Sequence, residues 1–118
     1  MIPADLLDRL REKDPGLWER MRRMPIYVHR DSSLTVDLTK SDNTELVDAW
    51  LQHCLQEAIR ARVGWGYQIT AFGLPIIACV YNRRDYITAR GESEAEALGW
   101  AYLAVIEGTC QSAAGLAG

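Results

Sequence analysis

The sequence predicts an α+β fold: a three-stranded or larger antiparallel sheet packed by two helices, with a helical and extended N-terminal segment ahead of it. Three observations carry that expectation. Residues 65–72 and 74–81 are β-prone and largely apolar, and they are separated by Gly73, as in a hairpin. A short third β-prone run, residues 86–89, follows the polar turn Asn82-Arg83-Arg84-Asp85. Two runs with the helical period flank this unit, each opening on a capping signal.

Taken in order, Leu6, Leu7 and Leu10 share one face of a short first helix over residues 5–13. Asp14 is suited to cap a second helix, and Pro15 to occupy its first position. That helix is expected to reach about Arg23, to carry Leu17, Trp18, Met21 and Met24 on its apolar side, and to stop at Pro25. Residues 26–30 are β-prone, Asp31-Ser32-Ser33 is a turn signal, and Leu34, Val36 and Leu38 alternate with polar residues. These pieces form either a hairpin or two separate extended segments. The next helix runs from Thr44 to about Arg62, with Asp42 and Glu45 as its capping pair and Gly64 as its terminator. Leu46, Val47, Trp50, Leu51, Cys54, Leu55, Ala58 and Ile59 repeat along it at the helical period.

The run at 74–81 is apolar on both faces, which predicts a strand in mid-sheet shielded from either side. Ser93 and Glu96 open the last helix, which buries Ala97, Leu98, Ala101, Tyr102 and Val105 and closes at Gly108. The expectation is a single domain over 1–118, with an N-terminal segment at 1–40, an α-β-β-β-α core at 42–107 and a flexible tail at 108–118. Four Trp and five Tyr exceed what two helices on one sheet face can cover. Either the N-terminal helices cap the second face, or another subunit does, and a homodimer is the commonest such assembly.

That core order resembles the double-stranded RNA-binding domain, whose last helix opens with consecutive lysines that grip phosphate. Here the same place reads Glu92-Ser93-Glu94-Ala95-Glu96, which would repel RNA. The chain is more similar to small phage and prophage proteins of the ABA-sandwich type. Trp65 and Tyr67 at the strand, the loop Ala89-Arg90-Gly91-Glu92-Ser93, and Ala97, Ala101, Leu103 and Ala104 in the helix carry that similarity. It implies a mobile-element accessory protein that blocks a host defence rather than an enzyme. The N-terminal segment has no counterpart in that pattern, and the strand from Leu74 is more apolar than it.

Composition narrows the function classes further. Net charge is −3, whereas phosphate binding usually brings a basic excess. No apolar run approaches the ~18 residues of a membrane span, and the charged N-terminus argues against a signal peptide. A cytoplasmic location in a bacterial host follows, and Cys54, Cys79 and Cys110 lack a disulfide spacing. His29 and His53 lie on separate elements, and no ligand spacing suits zinc, so neither a Cys–His nucleophile nor a metal is expected. Glu92, Glu94 and Glu96 match a helix start, where acids complement the macrodipole. No cofactor motif is present, since Gly64-Trp65-Gly66 lacks the helix and lysine of a phosphate loop.

Protein binding is therefore the leading expectation, with a host or phage protein as partner and no catalytic group. The candidate surface is Trp18, Met21, Arg22, Arg23, Tyr27, Arg83 and Arg84. The alternative is nucleic-acid binding, with Arg20, Arg22, Arg23, Arg30, Arg83 and Arg84 on phosphates and Tyr27, Tyr81 and Tyr86 as stacking faces.

Overall fold

The computed structural model describes residues 2–29, 32–37, 44–108 and 111–112. Its elements run α1 (Ala4–Lys13), α2 (Pro15–Met21), β1 (Arg23–His29), β2 (Ser32–Asp37), α3 (Thr44–Ala61), β3 (Gly66–Thr70), β4 (Ile76–Tyr81), β5 (Asp85–Gly91), α4 (Glu94–Ile106) and β6 (Gln111–Ser112). The class is α+β, as the sequence predicts. Two antiparallel sheets are present, a β1–β2 hairpin and a sheet ordered β3-β4-β5-β6.

Local chemistry sets most boundaries. Asp14 Oδ1 accepts the Leu17 backbone N–H at 3.1 Å, capping α2 just ahead of Pro15. Ser93 Oγ does the same for Glu96 at 3.1 Å and opens α4. Gly64 follows α3 at φ 85°, in the left-handed region that a side chain resists. The expected Asp42 cap lies outside the described residues.

Several boundaries differ from expectation. Helix α2 ends at Met21, and Arg23 already opens β1, so Pro25 is no helix stop. It sits in β1 opposite Thr35, where a two-stranded sheet leaves each strand one side with no ladder to donate to. The main strands are shorter than their apolar runs, because residues 71–75 form the turn. The tail is not structureless throughout: Gln111 and Ser112 pair with Tyr86 and Asp85.

The layer order corrects the expectation that residues 74–81 are shielded on both sides, and it decides where the N-terminal helices lie. Residue by residue, β4 alternates: Ala78 and Val80 are buried, whereas Ile77 and Tyr81 are 38% and 42% exposed. Strand β4 is central, between β3 and β5, yet the described residues cover only one of its faces. Helices α3 and α4 pack side by side on that face, α4 over β4 and β5 and α3 toward β3. Helices α1 and α2 do not cover the other face. They pack on α4 and α3, making a second helical layer. The order is sheet, helices, helices.

The reason lies in α4. Ala95, Ala97, Leu98, Gly99, Ala101, Tyr102, Leu103 and Val105 are all buried, so this helix is apolar around most of its circumference. Such a helix must be enclosed. Gly99 admits α1: a Cβ there would come within 2.9 Å of Leu6 Cδ2 and 3.7 Å of Leu55 Cδ1. Tyr102, 3% exposed, donates from its hydroxyl to Asp14 Oδ2 at 2.7 Å. One carboxylate thus caps α2 and satisfies the polar end of a core tyrosine. Arg9 closes the far end through two bonds to Glu107, 2.8 and 3.1 Å.

On the sheet side the tightest approach is at Gly91, the last residue of β5. A Cβ there would lie 2.6 Å from the backbone nitrogen of Ala97 and 2.9 Å from Glu96 Cβ. Backbone cannot swing aside as a side-chain tip can. Gly91→Ala should therefore lower stability by roughly 1–3 kcal/mol through overpacking, read as a lower urea midpoint. Gly99→Ala, which meets only the flexible end of Leu6, should cost less in the same experiment.

Candidate functional site

The uncovered face of the β3–β4–β5 sheet is built by strand register. Gly66, Tyr81 and Tyr86 lie in one row, Gln68, Cys79 and Thr88 in the next, and Thr70, Ile77 and Arg90 in the third. The alternate residues Tyr67, Ile69, Ile76, Ile87 and Ala89 turn to the helices and pack on the core. Among these nine open positions Arg90 is the one charge. Gly66 has a local reason: a Cβ there would meet Tyr81 Cζ and Oη at 3.3 Å, so the tyrosine ring lies across the glycine. Past the Thr70 end of the face, the turn carries Phe72 and Leu74, 100% and 74% exposed. Single exposed apolar residues are ordinary, but a contiguous set is the informative case.

The sequence-predicted surface is divided. Met21 is fully buried and belongs to the core, so it presents nothing to a partner. Trp18 is half-buried, with the Arg11 guanidinium 5.9 Å from its ring centre. Arg22 Nη2 donates to Asp37 Oδ2 at 2.7 Å, and Nη1 lies 3.6 Å from Glu19 Oε1. The bond to Asp37 raises the pKa of this guanidinium, fixing its charge in a structural pair. Arg23 is exposed, with Nε 3.8 Å from Glu19 Oε2. The side chain of Tyr27 lies outside what the structure describes.

Arg83 and Arg84 stand elsewhere, in the β4–β5 turn. Asn82 Oδ1 accepts the N–H groups of Arg84 and Asp85 at 2.7 and 2.6 Å, an Asx turn that fixes both arginines. They line a shallow cleft of about 270 Å³ with Asn82 and Gly64. This is the end of the sheet reached after α3 terminates. The end of α2 is held against the middle of α3, where Trp50 Nε1 donates to the Arg20 carbonyl at 3.2 Å and the Arg20 guanidinium pairs with Glu57. Arg22 and Arg23 follow that junction, whereas Arg83 and Arg84 stand in the β4–β5 turn beside Gly64, past the end of α3.

The thiols and imidazole have structural surroundings. Cys54 is fully buried, and desolvation pushes its thiol up to about 11, with Arg20 opposing slightly. Its sequence neighbour His53 stacks on Trp50, with Nε2 2.9 Å from Glu57 Oε1. Cys79 is half-buried on the open face, and its thiol is also pushed up by burial. Neither thiol has the electropositive setting that makes a nucleophile. Among the described residues no group of three or more His, Cys, Asp or Glu side chains could hold a metal ion.

The open face had a signal in the sequence. Gln68, Thr70, Thr88 and Arg90 alternate with apolar residues on the strands flanking β4, and a polar residue at every second position marks a solvated face. The chain matches no known protein family, no curated protein and no solved structure.

Burial of Cys54 has a measurable consequence. Its folded pKa stands above the ordinary 9.0, so the protonated thiol stabilises the fold fully below pH 9. That contribution, about 3 kcal/mol for a shift of this size, is lost as pH rises toward 11. Urea midpoints of the wild type should fall across this window. Cys54→Ala should decline less steeply over the same range, whatever its stability at pH 7.

Proposed function

We propose that this chain is a non-enzymatic protein-binding module whose partner docks on the uncovered face of the β3–β4–β5 sheet. One observation carries the reading: the middle strand presents Ile77, Cys79 and Tyr81 to solvent between polar flanks, with a single charge among the nine positions. An apolar centre with a hydrogen-bonding rim and little charge is the composition of a protein interface, and tyrosine is enriched there. The complementary partner surface is apolar where it meets Ile77, Tyr81, Tyr86 and Leu74, and carries hydrogen-bonding groups where it meets the polar flanks. Trp18 and Arg23 lie away from this face, and Arg22 serves an internal pair. The accessory role implied by the similarity to small phage proteins, with a host or phage protein as partner and a host defence as target, is the finer form of this proposal.

A second reading keeps the arginine turn. Arg83 and Arg84 are exposed on a fixed Asx turn beside the cleft at Gly64, and Arg62 lies over Trp65 at 5.7 Å close by in the chain. Arginine beside aromatic faces suits single-stranded nucleic acid. No helix among the described residues is long and apolar enough to cross a membrane.

Two variant sets separate the readings. Ile77→Lys and Tyr81→Lys place charge on the open face without touching the core. Each should weaken capture of a bacterial partner protein at least ~10-fold, as losing a central interface residue does. Arg83→Glu with Arg84→Glu should leave that capture unchanged. If instead the arginine pair abolishes a salt-sensitive gel shift with single-stranded DNA and the face variants change nothing, the nucleic-acid reading replaces the first.

A further inference from the structure

Acidic residues outnumber basic ones in this chain, 16 to 13, and several arginines are paired accordingly. Arg9 meets Glu107, Arg20 meets Glu57, Arg22 meets Asp37, and Arg23 lies beside Glu19. At one end of the β3–β4–β5 sheet this pairing stops. Arg60 and Arg62 stand at the end of α3 and just past it, and Arg83 and Arg84 in the β4–β5 turn. None of the four forms an ion pair among the described residues. Residues 60–67 and 81–85 hold these four arginines and one carboxylate, Asp85. The two segments are neighbours, since Gly66 pairs with Tyr81 and Gly64 lines the cleft of about 270 Å³ with Asn82, Arg83 and Arg84.

We propose that this end of the molecule binds an anion, and that its ligand is a compact oligophosphate, a di- or triphosphate group. The site shares its arginines with the second reading above but not its ligand, and it is separate from the open face.

The donors present are those that phosphate takes. A guanidinium offers a planar fork that matches phosphate oxygens two at a time. The side chains of Arg62, Arg83 and Arg84 make no hydrogen bond among the described residues, and Arg60 gives one bond, to the Tyr67 hydroxyl at 2.7 Å. The backbone N–H groups of Gly64 and Arg83, both lining the cleft, have no protein acceptor among the described residues either. Nothing stands within 4 Å of where a Cβ would be at Gly64, so a ligand can approach the chain there. The bonds from Arg84 and Asp85 to Asn82 Oδ1 hold the backbone of the arginine pair in place beforehand, which lowers the entropy lost on binding.

Charge and size set the rest. A single phosphate group carries about −2 at most, less than four guanidiniums beside one carboxylate can balance, and a di- or triphosphate comes closer. The cleft suits a group of that size and not the roughly 4–16 nucleotides of a single-strand binding fold. The aromatic rings argue the same way. Arg60 lies over Tyr67 at 5.4 Å and Arg62 over Trp65 at 5.7 Å, so on those sides a guanidinium already stands where a stacked base would lie. Phosphate is then recognised, and the base is not.

Calorimetric titration of the full chain at low salt, without divalent cations, tests this. Tripolyphosphate should bind with Kd on the order of 10 µM, and inorganic phosphate at least ~10-fold more weakly. ATP and GTP should bind alike, and no more tightly than tripolyphosphate. Replacing both turn arginines, Arg83→Gln with Arg84→Gln, should weaken tripolyphosphate at least ~10-fold, as losing charge-assisted hydrogen bonds does. Arg62→Gln should weaken it too, whereas Arg23→Gln, one exposed arginine outside the site, should change nothing. No binding of tripolyphosphate, unchanged binding without the turn arginines, or an equal loss in Arg23→Gln and Arg62→Gln would each overturn the proposal. Single-stranded DNA that binds where tripolyphosphate does not would also overturn it, and would leave the second reading standing.

Discussion

Helix α4 is the element against which every other layer is built, and its enclosure is the constraint on which the architecture depends. One side meets β4 and β5 so closely that Gly91 has no room for a Cβ. Another meets α1 at Gly99, and α3 lies alongside. A helix with so little polar surface gains from contact in every direction, and each contact removes apolar area from water. Its polar end-group inside the core, the Tyr102 hydroxyl, is satisfied by Asp14 from the α1–α2 junction. Burial and the neighbouring carboxylate together push that phenol pKa up, keeping it protonated as the donor. The geometry of the N-terminal helices and the chemistry of the central helix are therefore one problem with one solution.

Because α4 draws all the helices to one side, the other side of the sheet is left to solvent. Antiparallel sheets accept this arrangement when alternate residues are polar, and β3 and β5 comply with Gln68, Thr70, Thr88 and Arg90. Strand β4 does not: its outward residues are Ile77, Cys79 and Tyr81. This apolar strand down the middle of a solvated sheet is the feature on which the docking proposal rests. Arg22 has a different duty: it ties α2 to β2 through Asp37 and buries an Nε that makes no hydrogen bond.

What the sequence revealed, and what it concealed, follows from the range of the forces involved. The caps at Asp14 and Ser93, the glycine terminators at Gly64 and Gly108 and the hairpin at Gly73 are decided by neighbours in the chain, and all were legible. The side on which α1 and α2 pack was not, because it depends on which of two distant surfaces is the more apolar. The apolar run at 74–81 was read as shielded from both sides on its own composition. Its covering is set by partners on β3 and β5, whose polar alternation was visible but weighed separately. The burial of Met21 is hidden from the sequence because an amphipathic helix does not reveal what its apolar stripe meets. The β6 pairing escaped because two residues carry no period at all.

The choice made by α1 can be argued from both candidate surfaces. Its apolar stripe is narrow: Leu6 and Leu10 fully buried, Leu7 partly so. Laid on the open sheet face, it would cover Gln68, Thr70, Thr88 and Arg90, whose hydrogen bonds to water it could not replace. Each polar group buried without a partner costs on the order of 1–3 kcal/mol, more than a narrow stripe recovers. Laid on α4, the same stripe meets Gly99 and the apolar flank of α3, where only hydrocarbon is desolvated and Leu6 enters the gap left by the missing Cβ. Arg9 and Asp14 keep their polar ends at the rim, paired with Glu107 and Tyr102. Among the described residues the sheet face is thus left bare because α1 could not satisfy it, and any covering of it would need hydrogen-bonding groups to match Gln68, Thr70, Thr88 and Arg90.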